Sequence, residues 1–232
     1  MNRTAILLAV LSMVLAGCNG APPSLPFLHP PHTPATSPVG LVPLPCTDTG
    51  PLRSAHWRYC DRDRNFVTAR ARRSLIAVAE GIARGRPGYV LRYMEASWPS
   101  GVRPMPPHLS HGDGREVDLA LFYVDRAGRP LPRPPTRDGY RAYEPPRREA
   151  DRVCTGAHTP HDAPDPPAGR SWRLDEAATA DLVRRLSADP AVRRIFIEPH
   201  LKQSLGFAGD PKVRFAGCAA ARHDDHIHVD FW

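Results

Sequence analysis

The chain has 232 residues and a formal net charge of +7, with 31 Lys and Arg against 24 Asp and Glu. Arginine supplies nearly all of the positive charge, since Lys202 and Lys212 are the only lysines. Such a surface attracts acidic polymers (nucleic acid, anionic lipid or a carboxylate-bearing cell wall) unless it reflects a compositional bias alone. With 7% aromatic residues, stacking platforms for single strands are not evident.

At the N-terminus, Arg3 gives a positive start and Ala5 to Leu15 an apolar run too short to span a bilayer. Leu-Ala-Gly-Cys at 15–18 follows and resembles the lipobox of bacterial lipoproteins. The resemblance implies a lipoprotein signal peptide over 1–17, a lipidated Cys18 and an exported, periplasmic, membrane-tethered chain. Asn19 favours the outer membrane over the inner. The alternative is a plain secretory signal with Cys18 there by chance. Export argues against nucleic acid as a partner. Residues 18–45 are rich in proline and read as an extended linker that buries no core. At about 3.1 Å per residue it could hold a domain roughly 80 Å from the anchor. His29 and His32 fall in it and read as solvated.

The remaining stretch, 46–232, is long enough for one domain with a core of its own. It carries Cys46, Cys60, Cys154 and Cys218. An even number in an exported chain suggests two disulfides, and four cysteines allow three pairings. Cys46–Cys60 with Cys154–Cys218 is the expected pairing, although the sequence does not fix connectivity. None of the four sits in a Cys-x-x-Cys pair, which argues against a cysteine zinc site.

In chain order, Asn65 is expected to cap a helix over 66–84, with Leu75, Ile76, Val78, Ala79 and Ile82 inward and Gly85 just past its end. Residues 89–98 alternate like a strand. Residues 117–124 form another, followed by a turn at 125–130 that suits a hairpin. Residues 130–170 are proline-rich and read as long loops flanking a site. A helix is expected over 175–187 with Leu182, Val183 and Leu186 inward, and a strand over 192–197. Near the end, His226, Ile227, His228, Val229, Asp230 and Phe231 alternate polar with apolar at the period of a half-buried strand. The sum is an α+β domain, a small antiparallel sheet with flanking helices.

The terminal strand carries the chemistry. Residues at i and i+2 share a face, about 6.5–7 Å apart along the chain. His226 and His228 therefore point into one cleft, where one can ligate a metal and the other can meet whatever the metal binds. Earlier, residues 108 to 118 read His-Leu-Ser-His-Gly-Asp-Gly-Arg-Glu-Val-Asp. Gly112 and Gly114 let the backbone bend so that His111 and Asp118 return to one point. Catalytic zinc sites use three protein ligands and keep a fourth position for water. His111, Asp118 and one terminal histidine make such a set. Either motif alone could be a surface histidine or a capping aspartate.

Together, His108, His111, Gly114, Val117 and Asp118, with the late His223, Asp224, Asp225, His226, His228 and Val229, resemble the penicillin-insensitive murein endopeptidases. That family belongs to the wider group of lysostaphin-type enzymes, D-Ala-D-Ala carboxypeptidases and the hedgehog signalling domain. The resemblance implies that group's metallopeptidase core, with His111, Asp118 and His228 holding Zn2+. It makes His226 the imidazole that polarises the scissile carbonyl or stabilises the oxyanion. His223 falls where the related carboxypeptidases carry a glutamate base and the murein endopeptidases a histidine; a role orienting a ligand is the alternative. His108 matches a further family histidine, with a second metal site or a supporting role open to it. His158, His161 and Asp162 are candidates for that second site or plain loop residues. Asp224 and Asp225 orient imidazoles or cap a turn, and Asp230 reads as structural. The implied activity is hydrolysis of the D-alanyl-meso-diaminopimelyl cross-link of peptidoglycan. The alternatives are a carboxypeptidase trimming stem peptides and a non-catalytic peptidoglycan-binding lipoprotein.

Overall fold

The computed structural model describes residues 34–155, 164–165 and 169–232. They all belong to the unit that begins at Pro31. Its elements are β1 (Val42–Pro43), β2 (Leu52–Ser54), α1 (Arg58–Asp61), β3 (Phe66–Val67), α2 (Ala69–Gly85), β4 (Leu91–Tyr93), β5 (Glu116–Ala120), β6 (Tyr123–Asp125), β7 (Trp172–Leu174), α3 (Glu176–Ala188), β8 (Val192–Phe196), α4 (Pro199–Ser204), β9 (Val213–Arg214) and β10 (His226–Phe231). The class is α+β. No described helix is long and apolar enough to cross a membrane.

The main sheet has six strands in the order β2-β4-β5-β10-β8-β9. Its four inner strands pair antiparallel, as expected, but both outer pairs, β2 with β4 and β8 with β9, are parallel. The C-terminal strand thus lies inside the sheet between β5 and β8. Its alternation sorts the two faces: Ile227, Val229 and Phe231 join Val117, Leu119 and Ile195 in the core. Leu75, Ala79 and Ile82 of α2 and Leu182, Val183 and Leu186 of α3 belong to the same core. The helices α2 and α3 touch each other, α3 touches β8 and α2 touches β2, so they cover one face together.

Several expected boundaries move. The first helix starts at Ala69, capped by Thr68, whose hydroxyl accepts from the Ala71 amide at 3.2 Å. Phe66 and Val67 are drawn instead into a strand against Val42 and Pro43. Asn65 is no cap; its amide nitrogen donates to the Leu44 carbonyl at 3.0 Å. The folded unit therefore takes in the end of the proline-rich stretch, with Leu44 in the core. The expected strand over 117–124 breaks after Ala120. Thr179 accepts from the Phe122 amide at 3.3 Å and Asp175 donates its amide to the Phe122 carbonyl at 2.8 Å, which pulls the chain out of the sheet. Beyond the break β6 pairs with β7. The helix α3 matches its expected span closely, and Asp175 caps it through the Ala178 amide at 2.9 Å. Both expected disulfides, Cys46–Cys60 and Cys154–Cys218, are present.

Candidate metal centre

The register of two neighbouring strands builds the centre. His228 of β10 lies opposite Asp118 of β5, and on the other side opposite Phe196 of β8. The two side chains share the face turned away from α2 and α3. His111 arrives from the 98–115 loop, which is tied down on Ser97: its hydroxyl accepts the Gly112 amide at 3.2 Å and the Gly114 amide at 2.8 Å. Both glycines are needed. Gly112 has φ +143° and a Cβ there would stand 2.3 Å from the Val102 carbonyl oxygen; Gly114 has φ +80° and a Cβ would stand 2.5 Å from Leu41. The loop so bent buries His111.

One oxygen of Asp118 is the focus. Oδ1 lies 3.3 Å from His111 Nε2, 2.9 Å from His228 Nδ1 and 3.9 Å from His226 Nε2. The other ring nitrogens face outward to fixed partners. His111 Nδ1 is 2.7 Å from the Ala96 carbonyl oxygen. A carbonyl only accepts, so Nδ1 carries the proton and Nε2 offers a lone pair inward. His228 Nε2 is 3.1 Å from Asp230 Oδ1. This is how carboxylates and carbonyls fix the tautomer of metal-binding histidines. His108 joins the group: one ligand atom each from His108, His111 and Asp118 all lie within 4.8 Å of one another, a set that can hold a metal ion. Its Nε2 pairs with Glu95, whose other oxygen accepts from Arg64 at 2.6 Å. The structure thus brings His108 into the same group as His111 and Asp118. His158, His161 and Asp162 lie outside the described residues, as do Cys18, His29 and His32.

The electrostatics follow from burying so many ionisable groups together. Burial alone pushes the Asp118 carboxyl up, but His111 and His226 around it hold it well below the usual carboxylate range. Burial pushes His228 down, but bonds with Asp118 and Asp230 outweigh that and raise it to about 9. His226 is likewise raised against its burial, by Asp225 and Asp118. A carboxylate amid several imidazoles is the donor chemistry a borderline cation such as zinc takes up.

His226 and His223 stand beside this set. His226 Nδ1 is 2.5 Å from Asp225 Oδ1, so the ring has one nitrogen on a carboxylate and the other towards Asp118. The His223 ring lies 4.9 Å from that of His226 and 5.9 Å from that of His228. Its amide donates to Glu198 at 3.1 Å. The five histidine and aspartate positions singled out by sequence, 111, 118, 223, 226 and 228, therefore converge. Of the two neighbouring acids, Asp225 orients His226, whereas Asp224 takes Arg222 at 3.1 Å. Asp230 both orients His228 and accepts from Arg194 at 2.7 Å, so it serves the centre as well as the sheet.

Sequence reading missed Tyr140, whose hydroxyl donates to Asp118 Oδ2 at 2.5 Å. It also missed Glu95. A tyrosine directly after the Asp138-Gly139 turn, in a proline-rich region, was the one available signal. A comparison with protein-family models finds none that matches this chain, and a comparison with curated proteins finds none either.

Proposed function

We propose that the protein is a zinc-dependent murein endopeptidase that hydrolyses D-alanyl-meso-diaminopimelyl cross-links of peptidoglycan. The observation that carries the reading is the convergence of His111 Nε2 and His228 Nδ1 on one oxygen of Asp118, each ring held from behind by an acceptor. Those three atoms would hold the ion. When bound, zinc polarises an amide carbonyl and lowers the pKa of a water towards about 7.

The chain's own residues supply the rest. The Asp225–His226 pair keeps one imidazole nitrogen aimed at the centre, where it can donate to the oxygen that gains charge as the amide is attacked. Asp225 keeps His226 in its orientation and balances a proton on it. His223, one ring away from His226, stands where an imidazole can pass a proton to or from the reacting groups. The net charge of +7 suits an anionic wall polymer. The lipobox ending at Cys18 belongs to the same reading, with the enzyme tethered to a membrane, the outer one by preference, and facing the periplasm.

Zinc-loaded protein incubated with cross-linked peptidoglycan tests the proposal. Conversion of cross-linked dimers to monomers is expected. Release of free D-alanine instead would make the protein a carboxypeptidase, and wall binding without any hydrolysis would make it a non-catalytic binder. Elemental analysis of His108→Ala and His228→Ala then separates the ligand sets: zinc should survive the first change and be lost in the second.

A further inference from the structure

Resting on the metal-centre reading above, we propose that Tyr140 is a positioning residue that restricts Asp118 to one ligating oxygen. The two oxygens of Asp118 have different surroundings. Oδ1 faces His111, His228 and His226, while Oδ2 accepts from the Tyr140 hydroxyl at 2.5 Å. A phenol donating to one carboxylate oxygen draws its lone pair away from the ion and stops the carboxylate from rotating to offer both. A four-coordinate zinc needs that restriction, because a second carboxylate oxygen would take the position left for water.

The tyrosine is itself firmly placed. Its amide donates to Asp138 Oδ1 at 3.1 Å, and the Asp138 carbonyl accepts from the buried Tyr59 hydroxyl at 2.6 Å. Gly139, between them, has φ +94°, and a Cβ there would come within 3.0 Å of the Met94 side chain. The next residue, Arg141, has φ +69° and donates its amide to Asp225 Oδ2. A non-glycine residue in the left-handed region costs free energy and persists where its surroundings fix it. The Tyr140 ring stands edge-on to His226 at 5.0 Å. One turn therefore grips both acids of the centre: Asp118 through the Tyr140 hydroxyl and Asp225 through the Arg141 amide.

The experiment compares wild type with Tyr140→Phe, which deletes one hydroxyl from a half-buried ring. Zinc affinity is measured by chelator competition, the visible spectrum after cobalt substitution, and the thermal midpoint on metal-free protein. Zinc should bind about 10–100-fold more weakly, the scale for losing a group that holds a ligand in place. The cobalt spectrum should weaken as Asp118 gains a second ligating oxygen. Unchanged affinity and spectrum would overturn the inference. So would weaker zinc binding with an unchanged cobalt spectrum and a lowered metal-free midpoint, which would mark Tyr140 as purely structural. If the wild type holds no zinc, the metal-centre reading fails first and the inference falls with it.

Discussion

Leu119 and Asp118 are neighbours on β5, and Val229 and His228 are neighbours on β10, yet they belong to two unlike halves of the molecule. Leu119 and Val229 have no exposed surface, while Asp118 and His228 are 2% and 4% exposed. Burial is therefore nearly equal on the two faces. The difference lies in what covers them. Over the apolar face lie the side chains of α2 and α3, and non-directional burial is enough. Over the other face lie loops carrying His111, Tyr140 and Asp225, and each ionisable group has a specific partner. Glu116 takes Arg103, Asp230 takes Arg194 and His228, and His226 takes Asp225. Buried charges cost several kcal/mol each unless paired and hydrogen-bonded, so the polar face adds little net stability for its area. The sheet holds the fold together on one side and holds a convergent set of ionisable groups in place on the other.

The sharpest way to break that division is to change adjacent residues. His228→Ala should abolish both zinc binding, read by elemental analysis, and cross-link hydrolysis, while the protein keeps its far-UV circular dichroism and its disulfides. Leu119→Ala, one strand over and on the opposite face, should cost about 2–5 kcal/mol in denaturant unfolding, the range for emptying a buried leucine. Its folded fraction should retain zinc. Loss of zinc from folded Leu119→Ala would mean that the two faces are not independent.

Much of this division could be read from the sequence because period-2 alternation reports both faces of a strand at once. The run His226–Phe231 named its inward apolar residues and its polar ones together, and the spacing from His111 to Asp118 marked a loop returning to a strand. The polar cover could not be read in the same way. Tyr140 reaches Asp118 from a loop with no periodicity, so nothing local ties it to the site. Glu95 sits in the stretch read as a strand over 89–98, but the strand ends at Tyr93, and alternation does not name the histidine that Glu95 meets. The break after Ala120 was hidden in an apolar run that suits a strand throughout; only Thr179 and Asp175, more than fifty residues on, pull it apart. Asn65 and Thr68 are both good caps. The choice between them was made by Val42 and Pro43, which take Phe66 and Val67 into a sheet. The parallel outer pairs are very short strands whose partners lie far along the chain, beyond the reach of any pattern in a single segment.

Within the polar face, the two histidines of β10 should separate. His226→Ala leaves His111, Asp118 and His228 in place, so zinc should stay. Hydrolysis should fall by roughly two to three orders of magnitude, the cost of one donor to a developing oxyanion. Zinc content and turnover measured on the same preparation check this. If His226→Ala loses zinc while His228→Ala keeps it, the two roles are exchanged.

The smallest effect is expected at the rim of the sheet, away from both faces. Ser187, near the end of α3, donates its hydroxyl to Asp210 at 2.5 Å, and the Lys212 amide donates to the same carboxylate at 2.9 Å just before β9. Burial tends to raise the Asp210 carboxyl, but the Ser187 hydroxyl and the backbone amides outweigh it, so its pKa is lowered. A carboxylate whose folded pKa lies below its unfolded one contributes stability that is present above the unfolded value, near 3.9, and is lost as pH falls through the folded value. Ser187→Ala should therefore destabilise at pH 7, by about 1 kcal/mol or less because water screens this partly exposed site. That corresponds to a thermal midpoint roughly 4 °C lower or less. The gap from wild type should close as pH drops below the ordinary carboxylate range, where Asp210 is protonated in both proteins. A gap unchanged down to that range would show that the serine contributes through packing, as the apolar face does, and not through the charge of its partner.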